Sequence, residues 1–325
     1  MTTQQNSTEP TPGGGSERVV VGLDGSASSR AALIWGLREA AQSGARVDVV
    51  SAFPVDFYWN DPFLADTRRV GDIRTDTEKR ARDLVDEVRQ DPAVAAIPGA
   101  ADVPVEVVVA GAAPAHHLVD RARGARTLVV GSRGRGAVRS TLLGSVALHC
   151  ITHAPCPVVV VHDAPPRSPA RVVVGVDDAD ASRAVLAIAA READRLDAEI
   201  EAVAVYPTPD YWGYTYGMTV TLAEELREGA RASAQKLVDE VLGGNQRVIV
   251  HAVEGNPGEV LVGRAEAAAL LVVGSRSRST LAGTVLGSVA LHCALHAGCP
   301  VMVVHPGPAA GAGAPADQSA ATVRA

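Results

Sequence analysis

Residues 128–162 and 271–305 are two copies of one pattern, and that duplication limits the fold more than any other feature of the chain. The first copy runs Leu128-Val129-Val130-Gly131, then Gly144-Ser145-Val146-Ala147-Leu148-His149-Cys150, then Cys156-Pro157 ahead of a valine run. The second runs Leu271-Val272-Val273-Gly274, then Gly287-Ser288-Val289-Ala290-Leu291-His292-Cys293, then Cys299-Pro300 ahead of another apolar run. Repetition on this scale means that one supersecondary unit occurs twice. The match extends upstream. Asp24 and Trp59 find counterparts 153 positions on, at Asp177 and Trp212, whereas from Gly131 to Gly274 the spacing is 143. The shortfall lies mostly where the first copy has a connection over 92–104 and the second has only Gly243-Gly244-Asn245-Gln246. Shortening a loop leaves a core intact, so one fold copied twice is expected.

Within the first copy, short apolar runs at 18–24, 46–52, 105–109, 127–130 and 158–161 predict strands. Helical spacing predicts helices over 28–43, 67–89, 116–123 and 141–152, with Ser26 or Ser28 as the first N-cap and Gly44 as its stop. Strands alternating with helices imply a parallel sheet wound on both faces. Near-continuous valine strands agree, because both faces of such a sheet are buried. The fold class expected is α/β, as two tandem doubly wound five-stranded parallel sheets. The divisions are a domain over 17–163, a Pro-rich linker over 164–170 and a second domain over 171–305. Polar and Ala/Gly/Pro-rich ends at 1–16 and 306–325 read as disordered tails.

A length of 325 residues suits two domains of about 150 residues each. A net charge of −7 gives no bulk attraction to nucleic acid or acidic membranes. No apolar stretch approaches the ~20 residues of a membrane-spanning helix. The polar start lacks the apolar core of a secretion signal. Four cysteines do not suggest a disulfide scaffold. A soluble, cytoplasmic protein is expected.

The chemistry concentrates in Gly131-Ser132-Arg133-Gly134, followed after nine residues by Gly144-Ser145. Gly131 ends a strand where the backbone must turn. Gly134 permits a positive φ or a close ligand. Gly144 and Ser145 fall in the first turn of the next helix, whose unpaired N–H groups attract anions. Together these residues form a candidate phosphate cradle, with Arg133 and Arg135 adding charge. A bare strand-to-helix turn would need the same glycines, so spacing alone leaves both readings open. Neither loop carries the lysine of a Walker A motif, and the first is misplaced for a dinucleotide fingerprint. Asp24, with Gly25-Ser26 behind it, ends the first strand where ligands enter such sheets. It suits a ribose or adenine contact, or else caps the following turn.

Taken together, Val20-Val21-Gly22-Leu23-Asp24-Gly25-Ser26, the glycine pattern of 131–145 and the tail His153-Ala154-Pro155-Cys156-Pro157-Val158 resemble the universal stress protein family. The order is repeated in both halves, as in tandem bacterial members of the ATP-binding type. The resemblance implies the adenine nucleotide alpha hydrolase-like fold of that family and an ATP site, with Mg2+ as an accompanying ion. It places Asp24 on the nucleoside and Ala52 beside the adenine. Gly131, Arg133, Gly134, Gly144 and Ser145 would surround ribose and phosphates. In the second half Asp177, Gly274, Arg276, Gly287 and Ser288 match, while Asp178 replaces Gly25 and Ser277 replaces Gly134. A left-handed backbone at Ser277 would cost about 1–2 kcal/mol. Charge repulsion from Asp178 adds about 1 kcal/mol. Arg276 and Arg278 offset part of this, so the second half is expected to bind equally or more weakly. The resemblance also implies an intramolecular pseudo-dimer paired through the strands at 158–161 and 301–304, with a homodimer as a further assembly.

Other features carry less. His149-Cys150-x2-His153-x2-Cys156 and its copy suggest zinc at first sight. Cys156, however, lies beyond the helix end, and the family's tail packs a strand, so no metal is expected. Aromatic segments at 53–59 and 206–212 suit either a flap over the base or a small satellite core. His116-His117 has no recognisable nucleophile beside it and reads as surface. With no triad and no base with a target, the expectation is a stress-response regulator that binds nucleotide, not an enzyme. Three alternatives stand: a slow ATPase or autophosphorylating enzyme, a nucleotide-independent interaction protein, and a site for cyclic AMP. Protein partners are not legible.

Overall fold

A computed structural model describes residues 17–53, 67–111, 113–134, 143–162, 170–207, 216–243, 247–276 and 286–305. The expected tails, most of the linker, and the aromatic segments beyond Phe53 and Pro207 lie outside these residues, as do Arg135, Ser277 and Arg278.

The first half runs β1 (Arg18–Gly22), α1 (Ala27–Ser43), β2 (Arg46–Phe53), α2 (Thr67–Arg89), the single turn α3 (Pro92–Ala95), a 3-10 turn (Ala100–Asp102) and β3 (Val105–Gly111). It continues with α4 (Pro114–Arg121), β4 (Thr127–Gly131), α5 (Ser145–His153) and β5 (Val158–Val161). The second half repeats the order as β6 (Arg171–Val176), α6 (Ala181–Leu196), β7 (Glu199–Tyr206), α7 (Tyr216–Leu242), β8 (Val248–Glu254), α8 (Pro257–Arg264), β9 (Leu270–Gly274), α9 (Ser288–His296) and β10 (Val301–Val304). The connection expected over 92–104 therefore contains two short helical turns. The last helix of the first half starts at Ser145, not at 141.

All ten strands form one sheet, in the order β3-β2-β1-β4-β5-β10-β9-β6-β7-β8. Each half is parallel throughout, and β5 meets β10 antiparallel, as the pseudo-dimer expectation required. Met302 lies opposite Val159, its own counterpart in the repeat, and Val301 and Val303 lie opposite Val160 and Val158. The seam is thus a pseudo-two-fold contact, with residues paired across it as in an isologous dimer.

Strand side chains alternate between the two faces. Val19, Val21, Val172 and Val174 join the core under α1 and α6, while Val20, Val173, Leu128 and Leu271 join the one under the last helices. At the opposite edge from the Asp24 loop, the fully buried Asp48 is held by Arg121 at 2.8 Å and flanked by Arg46 at 3.4 Å. Its counterpart Glu201 is held by Arg171 at 2.8 Å and Arg264 at 3.1 Å. A buried carboxylate is tolerable only when paired in this way.

The seam also carries polar links. His162 Nε2 lies 3.1 Å from the Ala294 carbonyl, and His305 Nε2 lies 3.0 Å from that of Ile151. On the other face Arg195 donates to Glu192 at 2.8 Å and to Gln42 across the seam at 2.8 Å. Its guanidinium sits 5.0 Å from the ring centre of Trp35.

Candidate functional site

Winding reverses between β1 and β4, and again between β6 and β9, so each half has a crevice at the C-terminal ends of those strands. In the second half the crevice is a cavity of about 440 Å³, within the ~300–1,000 Å³ of small-molecule sites. Val176, Val185, Val203 and Val205 form apolar walls, and Asp177, Ser182 and Arg276 supply polar groups. Val205 stands where Ala52 stands in the first half. Gly274 and Gly287 also line the cavity, at the end of β9 and the start of α9.

The polar groups are held in place. Asp177 Oδ1 accepts from the Ala179 N–H at 3.1 Å and from Ser182 Oγ at 2.6 Å, and Ser182 Oγ accepts from the Asp177 N–H at 3.1 Å. The Ser275 N–H donates to the Val304 carbonyl at 2.7 Å, and the Ser275 carbonyl accepts from the Gly287 N–H at 2.7 Å. Ser275 Oγ is buried and has no partner among the described residues. Gly287 is the N-cap of α9 and brings no side chain to it, so the first-turn N–H groups stay available to an anion. Ser288 is the first helical residue.

In the first half the same residue positions converge, and the residues around them bond to one another. Gly25 takes φ 78°, which lets Ser26 cap α1 by accepting from the Ser29 N–H at 3.2 Å. Ser26 Oγ donates to Asp24 Oδ1 at 2.6 Å and lies 3.2 Å from the Arg133 carbonyl. Ser28 Oγ donates to that same carbonyl. A Cβ on Gly131 would lie 2.7 Å from the Ser28 carbonyl carbon and 2.8 Å from the Ser29 nitrogen. A Cβ on Gly134 would lie 2.7 Å from Asp24 Oδ2. Gly134 is outside the left-handed region, so close approach, not a positive φ, explains the glycine. Gly144 is the N-cap of α5 and donates to the Ser132 carbonyl at 2.8 Å. Ser145 opens the helix, exposed, and Ala52 is half-buried near the end of β2.

The structure therefore brings Asp24, Gly25, Ser26, Gly131, Arg133, Gly134 and Gly144 together in one half, and Asp177, Gly274, Arg276 and Gly287 around the cavity in the other. Asp178 follows Asp177 but does not line the cavity. Sequence reasoning missed Ser28, Ser182 and Val205, although the repeat places Val205 in register with Ala52.

The histidines of the first half are more ordered than a surface reading implies. The His116 ring lies 4.7 Å from His149, and His149 lies 4.3 Å from His153. Burial, with His153 and His116 beside it, lowers the His149 pKa. Among the described residues no group of His, Cys, Asp or Glu converges on a metal position. Burial pushes the Cys150, Cys156, Cys293 and Cys299 thiols up to about 12, so they pack as inert apolar groups.

This architecture has close parallels. The chain matches the family model described as universal stress protein family over residues 15–162 and again over 170–305. It is 34% identical over 300 residues to Universal stress protein Rv2623 of Mycobacterium tuberculosis, spanning 90% of this chain and 97% of that protein. Universal stress protein Rv2005c of the same organism is 33% identical over 305 residues, spanning 88% and 96%. A solved universal stress protein from Archaeoglobus fulgidus shares the fold, with a TM-score of 0.60 at 17% identity, over 89% of this chain and 96% of that one. Both halves of the duplicated sheet carry the same family pattern along almost their whole length, and the chain belongs to the universal stress protein family.

Proposed function

We propose that this chain binds an adenine nucleotide, with ATP as the first candidate, at the crevice between β6 and β9, and acts as a nucleotide-dependent stress-response regulator. One observation carries the reading: the cavity of about 440 Å³ is lined by the second-half counterparts of the residues picked out from sequence. The chemistry fits the ligand. Valine walls suit a base, Asp177 is oriented to accept from a ribose, and the uncapped start of α9 with Arg276 suits phosphates. Bound ATP would bring a polyanion, with Mg2+ as its companion. Arg276 is the residue best placed to register that charge.

Two points support regulation over catalysis. Asp177 is the only carboxylate among the lining residues described, and Ser182 and the Ala179 N–H already engage it. Moreover, Ser275, next to Arg276, donates its N–H to the Val304 carbonyl at 2.7 Å, and the adjoining His305 bonds the first half across the seam. A shift at the site thereby has a path to the contact between halves. Equilibrium dialysis with Mg2+ and ATP tests the proposal. Saturable binding, competed by ADP, with phosphate release slower than about 1 s⁻¹, is expected. The absence of binding at millimolar ATP would refute it. Fast turnover would move the protein among the enzymes.

A further inference from the structure

We infer that the two crevices are unequal by construction: the second is the nucleotide site, and the first is latched by the Ser28 hydroxyl on the Arg133 carbonyl, with Ser26 Oγ beside it. This inference rests on the adenine-nucleotide reading of the second crevice. It reverses the ranking that the glycine pattern suggests.

The difference begins with one backbone angle. Gly25 adopts φ 78°, so α1 begins at Ala27 and its first turn advances onto Gly131. Asp178 stands at the Gly25 position, and Asp197 is the one described non-glycine residue with a positive φ. A side chain disfavours that conformation. In the second half α6 accordingly begins at Ala181, one position later in the repeat, behind an N-cap, Asp180, that makes no side-chain bond. The helix start is withdrawn. A Cβ on Gly274 would meet no α6 backbone, only Val185 Cγ2 at 3.3 Å and the Arg276 carbonyl at 3.2 Å. The equivalent point on Gly131 is 2.7 Å from the backbone of Ser28.

The hydroxyls follow the same division. Ser26 and Ser28 reach the Arg133 carbonyl, and their counterparts Ala179 and Ala181 have nothing to reach with. Arg133, just after β4, is therefore tied to α1, whereas Ala181 lines an open cavity. Opening the first crevice breaks the Ser28 bond before a ligand gains anything. One net hydrogen bond lowers its affinity about fivefold.

The test is a calorimetric titration with ATP and Mg2+ that reads the number of sites per chain filling at the tighter Kd. Three variants are compared with the unmodified full chain: Ser26→Gly with Ser28→Ala, Gly287→Glu, and all three changes together. Glycine is itself a good N-cap, so the latch variant keeps α1. Ser28→Ala alone, which leaves the cap untouched, is the fallback and should tighten the weaker site several-fold. The expected counts are one for the unmodified chain, two without the latch, none for Gly287→Glu and one for the triple variant. Two molecules on the unmodified chain, or one retained by Gly287→Glu, would overturn the inference and leave nucleotide binding standing. A count of zero in every variant would overturn the nucleotide reading itself.

Discussion

Compare the residues that follow the first strand of each half. The first half reads Asp24-Gly25-Ser26-Ala27-Ser28 and the second Asp177-Asp178-Ala179-Asp180-Ala181. On either side of this stretch the halves share strand order and pairing, and the seam is pseudo-symmetric about Met302 and its counterpart Val159. Within it, a glycine and two serines accompany a helix start that packs against Gly131, and where they are absent the helix start stands away from Gly274. In a doubly wound sheet the ligand crevice is bounded by that helix start. A few residues outside the glycine-rich loop thus set access to it, and a well-matched loop does not by itself make an open site.

The sharpest way to break the comparison is to put a carboxylate at each helix start in turn. Gly287→Glu replaces an anion-attracting N-cap with a negative charge, and ATP affinity should fall by at least about a hundredfold. Gly144→Glu should change the tight site by less than about threefold, since the two lie in different halves. Calorimetric titration of both variants separates the outcomes; equal losses would make the crevices equivalent.

Filling the cavity gives a smaller contrast. Val205→Trp obstructs an apolar wall and should weaken ATP by about tenfold, more than Ala52→Trp does. Building a latch where none exists sharpens the same point: Ala181→Ser should weaken binding about threefold, the worth of one hydrogen bond. Tighter binding in that variant would show that a hydroxyl there serves the ligand.

The halves differ again at their paired glutamates. Glu192 accepts from Arg195 at 2.8 Å, whereas Glu39 is buried beside Thr127, which donates at 2.6 Å, and Arg126 at 3.4 Å. Burial, reinforced by Glu192, pushes the Glu39 carboxyl above the usual carboxylate range. Folding therefore favours its protonated form. That stability is present below the ordinary value of about 4.3 and is lost as the pH rises through the raised one. Glu39→Gln removes the ionisation, so its melting temperature should decline less between acid and neutral pH than that of the unmodified chain. Glu192→Gln should cost about 2 kcal/mol by depriving a buried guanidinium of its charge partner. An unchanged pH slope in Glu39→Gln would locate the titration elsewhere.

The duplication and the alternation of strands and helices were legible in the sequence, because hydrophobic period and repeat spacing report directly on a two-faced sheet; the β5–β10 seam came only from the family resemblance. Ser26 as a cap and Gly44 as a stop were legible for the same kind of reason, since each is a local backbone requirement. The bond between α1 and the end of β4 was not. It depends on how far α1 advances toward β4, a distance between segments about a hundred residues apart that no local pattern encodes. For Gly134 the sequence offered a positive φ or a close ligand; no positive φ is present, and the Asp24 carboxylate lies against it in space. The cavity itself was reachable by registering Val205 with Ala52, but its openness was not.

The most direct test of the account is to denature freshly purified protein and identify and count the released nucleotide by chromatography and mass spectrometry, for the unmodified chain and for Gly287→Glu. The account predicts about one adenine nucleotide per unmodified chain and none in the variant, whose second-half site is blocked. An unmodified chain that releases none, and takes up none from excess ATP and Mg2+, would contradict it.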